Sequence, residues 1–280
     1  MILVTGATGK VGRELTRLLL ENGKEVVAVT RNPATAALPS GAMVVSGDPS
    51  QPKTLTSALR DVEAIFLNPA TVRDATAGLL SLAARHGVRR VVMLSALTLE
   101  YGLGHRRFAD GFKAVEDTVR ASGLQWTLLR CADFDANCLI WAPQIRSSDV
   151  VRGAYGDATT SPIHERDIAA VGALALVDSQ HAGHAYVLTG PESLTQLDRV
   201  RFIGEAIGKQ LSWEELSAEQ VRQAMLAQGL PEDVPDRLFG YLADCVQHPG
   251  PSTAMVAGIL GRPALTFAEW AADHAAAFRN

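Results

Sequence analysis

Residues 2–12, ILVTGATGKVG, constrain this chain more than any other segment. A short β-branched and leucine run, Ile2 to Thr5, stops at Gly6, Gly9 and Gly12. An amphipathic helix follows, with Val11, Leu15, Leu18 and Leu19 recurring at helical spacing. Asn22-Gly23 closes that helix as left-handed caps do. Val26 to Thr30 then supplies a second strand, apolar in the manner of a strand covered on both faces. Glycines placed between a first strand and a first helix bring backbone amides close to a diphosphate. Gly6 allows the tight turn, Gly9 removes a side chain that would block the phosphates, and Gly12 lets helix and sheet pack closely. Thr8, Lys10 and Val11 complete the turn, and the helix N-terminus adds amides and partial positive charge. The strand–helix–strand context, more than the triplet itself, points to a dinucleotide.

The alternation continues. Strands are expected near Met43 to Ser46, Ala64 to Asn68, Arg90 to Ser95 and Trp126 to Arg130, with helices around 52–60, 72–86 and 106–121. Such alternation gives an α/β fold, and right-handed crossovers make it a doubly wound parallel sheet of the Rossmann type. The rhythm breaks after Arg130. Residues 131–163 contain Pro143, Gly153, Gly156, a Ser-Ser pair and a Thr-Thr pair, and read as an irregular, lid-like loop. Asp167 begins another helix, and His184 to Leu188 reads as a strand that can rejoin the sheet. The remainder is mainly helical: 196–208, 217–228, 232–247 and 266–278, the last opening with a Thr266/Glu269 capping box. The expected division is a nucleotide-binding domain over 1–150 and a smaller, mainly helical substrate part over 151–280.

Composition removes several classes of function. With 47% hydrophobic and 20% charged residues, the 280-residue chain has material for a large core and is not disordered. A net charge of -4 argues against a nucleic-acid partner. The excess acid lies after residue 150, because residues 1–150 carry 17 Lys and Arg against 14 Asp and Glu. An anionic ligand in the first part suits that asymmetry. No apolar run reaches the ~20 residues a membrane span needs, and the N-terminus lacks the features of a secretion signal. Cys131, Cys138 and Cys245 are too few and too irregular for a disulfide framework or a metal site, and read as reduced thiols of a cytoplasmic protein. His181 and His184 lack supporting carboxylates, so no metal is expected. The partner is a small molecule, and the chain a monomer or homodimer.

The end of the second strand bears on the choice of dinucleotide. An NAD site carries an acid there that accepts from the ribose hydroxyl. This chain has Thr30-Arg31-Asn32-Pro33, and Arg31 is placed to pair with a 2′-phosphate, which favours NADP(H). The alternative is a solvated surface arginine. Asp48, after the third strand, either accepts from an adenine amino group or caps the helix that follows.

GATGKVG, TRNP, GDPSQP and KAVEDTVRASGLQWTLLRCADFDAN together resemble the NmrA-like, atypical short-chain dehydrogenase/reductase family. LGRPALTFAEWAADHAAAF is similar to that family's closing helix. The family commonly has proline after the arginine of SGLQWTLLR, where this chain has Cys131. The resemblance implies an NADP(H) site built from the glycine turn, Arg31, Asn68, Pro69, Ala70, Ser95, Lys113 and the loop around Phe134. It implies either a reductase of quinones and other small molecules or a catalytically silent redox sensor that binds a protein partner.

The short-chain enzymes that the chain resembles place a Tyr four residues before a Lys, so that the ammonium lowers the phenol pKa. None of Tyr101, Tyr155, Tyr186 and Tyr241 has Lys at that distance, and Lys113 has Ala109 four positions before it. Hydride addition to a quinone, enone or imine tolerates this, because conjugation spreads the charge and water completes protonation; an isolated ketone lacks that relief. Ser95 ends the fifth strand, where it either hydrogen-bonds a substrate oxygen or caps a turn. Lys113 either contacts the nicotinamide ribose or sits in water. Tyr155, His105 and His164 are the remaining acid candidates.

Overall fold

A computed structural model describes residues 1–104 and 106–279. It resolves into two compact units: Met1–Ala96, Gly111–Cys131 and Glu165–Val187 form the first, and Leu97–Asp110, Ala132–His164 and the chain from Leu188 onward form the second. The units interleave along the sequence and do not meet at residue 150. Residues 165–187 belong to the first unit because the helix Glu165–Val177 packs on its sheet.

The sheet of the first unit comprises β1 (Ile2–Val4), β2 (Val26–Thr30), β3 (Met43–Ser46), β4 (Ala64–Leu67), β5 (Arg90–Ala96) and β6 (Gln125–Cys131). With the strand His184–Leu188 it has seven strands in the order β3-β2-β1-β4-β5-β6 and then His184–Leu188. The pairs from β3 through β6 are parallel. This is the expected doubly wound Rossmann arrangement. Val27, Leu3, Ile65, Val91 and Trp126 form one row across five strands. That row packs on Leu59, Leu79 and Val119. Each fully buried aliphatic side chain there contributes about 1.5–3 kcal/mol. On the opposite face Gly172, in the helix Glu165–Val177, lies against Phe66, Leu129 and Leu15. Helix Lys10–Glu21 packs beside that helix, with Leu15 and Leu19 buried.

Two helical expectations shrink. Over 52–60 only the 3-10 turn Pro52–Leu55 forms. The stretch 72–86 divides into Pro69–Val72, a 3-10 turn and Thr76–Arg85, because Arg73 adopts φ +53° and interrupts the helical ladder.

Residues 131–163, of which all but Cys131 lie in the second unit, are more ordered than a loop. They hold the 3-10 helix Asp135–Trp141, the helix Ala142–Ser147 and β7 (Val150–Gly153). β7 pairs in parallel with β9 (Ser212–Glu215), β8 being His184–Leu188. Trp270, Phe267, Phe278, Ile145, Val151 and Ile203 form the core of the unit. Arg199, 4% exposed, donates to Asp133 Oδ2 at 2.8 Å, and Thr160 donates to the same oxygen at 3.0 Å. The Thr266/Glu269 capping box is present, with further boxes at Thr195/Asp198 and Ser217/Gln220. Among the described residues no helix is long and apolar enough to cross a membrane.

Candidate functional site

The order of the strands reverses between β1 and β4, and ligands of open α/β sheets bind outside the carboxyl ends of strands at such a point. Thr5, just past β1, donates to Phe66 O at 3.0 Å and accepts from Asn68 N at 2.8 Å, tying the turn after β1 to the turn after β4. Gly6 sits at φ +67°, and a Cβ there would lie 2.7 Å from Asn68 Nδ2. A Cβ on Gly12 would overlap the Gly6 carbonyl oxygen, so Gly12 serves the closure of its own turn. Gly9 is the N-cap of helix Lys10–Glu21, and no side chain caps that helix. Amides at the start of a twelve-residue helix are therefore presented in a cradle that side chains would fill, which fits a phosphate.

A cavity of about 380 Å³ opens beside this turn. Its walls bring together Gly6, Thr8, Arg31, Asp48 and Ala70 of the sequence-predicted set. They also include Arg13 and Arg73, which sequence reasoning missed. Arg13 stands one residue past the last glycine, within the first helical turn, a spacing that could have revealed it. Its guanidinium donates to the carbonyls of Ala37 and Thr8. Arg73 reaches the cavity through its left-handed backbone, which no sequence pattern announces. Asn68 caps the short helix Pro69–Val72 by accepting from Ala70 N at 3.1 Å.

Asp48 is the acid in this wall, and its Oδ1 accepts from the Ser50 amide at 2.9 Å and hydroxyl at 2.7 Å. Those bonds hold its carboxyl below the usual range, helped by the charges of Arg31 and Arg73. Asp48 makes a local turn with Ser50 and does not cap the 3-10 helix Pro52–Leu55, whose N-cap is Gln51. Three guanidiniums against one such carboxylate leave the cavity electropositive.

The other predicted residues stand elsewhere. Ser95, 4% exposed, donates to Glu116 Oε1 at 2.7 Å. Arg130 donates to both Glu116 oxygens, at 3.0 and 2.7 Å. Burial alone would push the Glu116 carboxyl up, but the Arg130 and Ser95 bonds and the charges of Arg130 and Arg120 outweigh it and hold it below the usual range. The Ser95 hydroxyl thus donates inside the first unit, outside the wall of the cavity. Lys113 is exposed and pairs with Asp117 at 2.6 Å, outside the cavity wall.

Phe134 and Tyr155 belong to the second unit. Phe134 is half-buried and bridges to Ile163. Tyr155, at φ +62°, is half-buried with its ring tilted against Phe239. His164 is buried and faces Asp273 at 3.6 Å, while His105 lies outside the described residues. His181 shares a hydrogen bond with the Tyr186 hydroxyl, and His184 stacks on the same ring. Cys131, Cys138 and Cys245 are buried free thiols, and burial pushes those of Cys138 and Cys245 up to about 12.

The sequence profile of a family described as NAD(P)H-binding matches residues 6–180. The chain is 36% identical to the (4-alkanoyl-5-oxo-2,5-dihydrofuran-3-yl)methyl phosphate reductase of Streptomyces griseus, covering 99% of both chains. It is 32% identical to the NAD(P)H azoreductase of Xenophilus azovorans, again over 99% of each. The NADPH-dependent quinone oxidoreductase of Escherichia coli, solved in complex with NADPH, superposes with a TM-score of 0.81. That match has 27% identity and covers 98% of this chain and 99% of that one.

Proposed function

The chain belongs to the NAD(P)H-binding family and is an oxidoreductase; from that premise we propose that it reduces small, electron-poor conjugated acceptors and prefers NADPH. The observation that carries the cofactor preference is the wall of Arg13, Arg31 and Arg73. A 2′-phosphate among guanidiniums gains about 1 kcal/mol per charge pair at 4 Å in water and about 4 kcal/mol where the effective dielectric is near 20. NADH, lacking that phosphate, forgoes this gain. When bound, the nucleotide supplies a hydride.

The residues of the chain hold and select the nucleotide. The uncapped helix start offers amides to a diphosphate, the glycines keep that space clear, and the arginines favour the phosphorylated ribose. Neither Ser95 nor Lys113 is a donor toward the substrate in this reading, and the Tyr and Lys pair is missing from the sequence. A substrate must then accept hydride without a strong acid beside it. An acylated dihydrofuranone, an azo compound and a quinone, the substrates in the relatives' names, all place an electron-poor double bond in conjugation with a charge-accepting atom. The same acceptor type suits this chain.

The test is oxidation of NADPH, followed at its near-ultraviolet absorbance, with small quinones, acylated enones and azo dyes. Turnover of at least one class, with kcat/KM for NADPH above that for NADH, is expected. Tight binding of nucleotide with no oxidation across all three classes would overturn the reading.

A further inference from the structure

The helix Glu165–Val177 of the first unit is apolar on the side where surface helices are polar. Between Asp167 and Asp178 the sequence runs IAAVGALALV, without one charged or hydrogen-bonding side chain. A helix that is apolar all round is ordinarily covered all round. Ile168, Val171, Gly172 and Leu176 are buried, but Leu174 is 38% exposed, Val177 42%, and Ala170 is half-buried. Spaced by four and three residues, Ala170, Leu174 and Val177 form one stripe along the helix. The neighbouring helix Lys10–Glu21 follows the usual rule, its outer side carrying Glu14, Arg17 and Glu21 joined in ion pairs.

A charge stands at each end of the stripe. Arg166, four residues before Ala170, has its side chain 45% exposed and lies 3.9 Å from Glu14. Asp178, four residues after Leu174, keeps its amide on Leu174 O at 2.9 Å, and its Oδ1 accepts from the Gln180 amide at 2.8 Å. Arg90 adds positive charge near Asp178 and fixes the helix end by donating to Leu176 O at 2.6 Å.

The row Arg166, Ala170, Leu174, Asp178 complements itself when reversed. Turned end for end about Gly172, it sets Arg166 against Asp178 of a second copy and Ala170 against Leu174, the small side chain making room for the large one. Each end then alternates in sign: Glu14 and Arg166 of one copy, Asp178 and Arg90 of the other. A closed two-fold pairs one patch with itself in this way. Rows spaced by four interlock between helices whose axes cross at about −50°.

We infer that the helix Glu165–Val177 is a homodimer interface, packed antiparallel on the same helix of a second copy of this chain. The reversal symmetry of the row selects that occupant, since an unrelated partner requires none. The inference is independent of the reductase reading.

The experiment measures the mass of the full chain by sedimentation equilibrium for wild type, Leu174→Glu, Arg166→Asp and Asp178→Arg, with circular dichroism to check folding. One helix pair is a small interface, so the wild type should pass from one chain to two within about 1–100 μM. Leu174→Glu buries an unpaired charge and should raise the dissociation constant at least about tenfold. Arg166→Asp leaves two acids on the row and Asp178→Arg two cations, so neither should pair with itself. Their equimolar mixture restores both opposite-charge contacts and should regain the dimer. A wild type that stays a single chain up to about 100 μM, a dimer indifferent to Leu174→Glu, or a mixture that stays monomeric would overturn the inference. If Asp178→Arg does not fold, the other two variants decide: loss of the dimer in both supports the interface, and its survival in either overturns it.

Discussion

Ser95 and Arg130 are register partners across β5 and β6, and both bond the same buried carboxylate, Glu116. The pairing places their side chains on one face of the sheet, and the helix Arg106–Arg120 lowers Glu116 between them. Removing the acid strands a mostly buried guanidinium. Glu116→Ala should cost about 3–5 kcal/mol. Ser95→Ala loses one hydrogen bond to a charged group, about 1.5–3 kcal/mol, and should leave kcat within about twofold. Urea unfolding paired with steady-state turnover separates the two effects; a large kcat loss in Ser95→Ala with unaltered stability would return Ser95 to the chemistry.

The same carboxylate predicts a pH dependence. Glu116 titrates lower in the folded chain than its ordinary value of 4.5, so the unfolded chain binds the extra proton first. Its contribution is complete above that ordinary value and is lost as pH falls through the lower folded one. Urea midpoints measured from pH 7 down to pH 3 should decline in the acid range, and the decline should be shallower in Glu116→Gln than in wild type.

Arg31→Ala should weaken NADPH about 10- to 100-fold while changing NADH less than threefold, because only the phosphorylated ribose meets the guanidinium. Arg13→Ala and Arg73→Ala should act in the same direction with smaller effects, Arg13 being partly engaged by the Ala37 and Thr8 carbonyls. Calorimetric titrations at two salt concentrations check this. Equal losses for the two nucleotides would remove the assignment.

Gly12→Ala places a methyl group against the Gly6 carbonyl and should lower both thermal stability and nucleotide affinity. Gly9→Ala meets the same carbonyl at 3.2 Å and should fold, losing affinity alone. Thermal melts with and without NADPH distinguish them: the nucleotide-induced rise in Tm should fall in both, the baseline Tm in Gly12→Ala only.

Lys113→Ala should change kcat and KM by less than about twofold and stability by less than about 1 kcal/mol, since an exposed pair with Asp117 is worth little. A tenfold fall in kcat would place the ammonium in the reaction.

The sheet and the nucleotide turn were legible because each β-branched run ends at a turn residue and each helix repeats its apolar positions locally. Arg31 and Asp48 were legible for the same reason, standing at strand ends. What escaped depended on contacts between distant positions. β7 was hidden because its partner, SWEE, lies some 60 residues away and carries polar residues at most positions. The commitment of Ser95 follows from the β5–β6 register, and Arg73 enters the cavity wall through a backbone angle no composition reveals. Glu215, which accepts from the Tyr155 and Gly156 amides some 60 residues away, leaves no local pattern in the sequence.

The chain passes between its two units at residues 96/97, 110/111, 131/132, 164/165 and 187/188. Neither unit is a continuous stretch, so no single cut releases one of them whole, and grafting a contiguous half from a relative would splice together fragments of both. Moving the second unit whole between related chains therefore calls for three coordinated insertions, at 97–110, 132–164 and 188 onward. Laboratory recombination with crossovers confined to those joints should yield functional chimaeras far more often than crossovers placed at random.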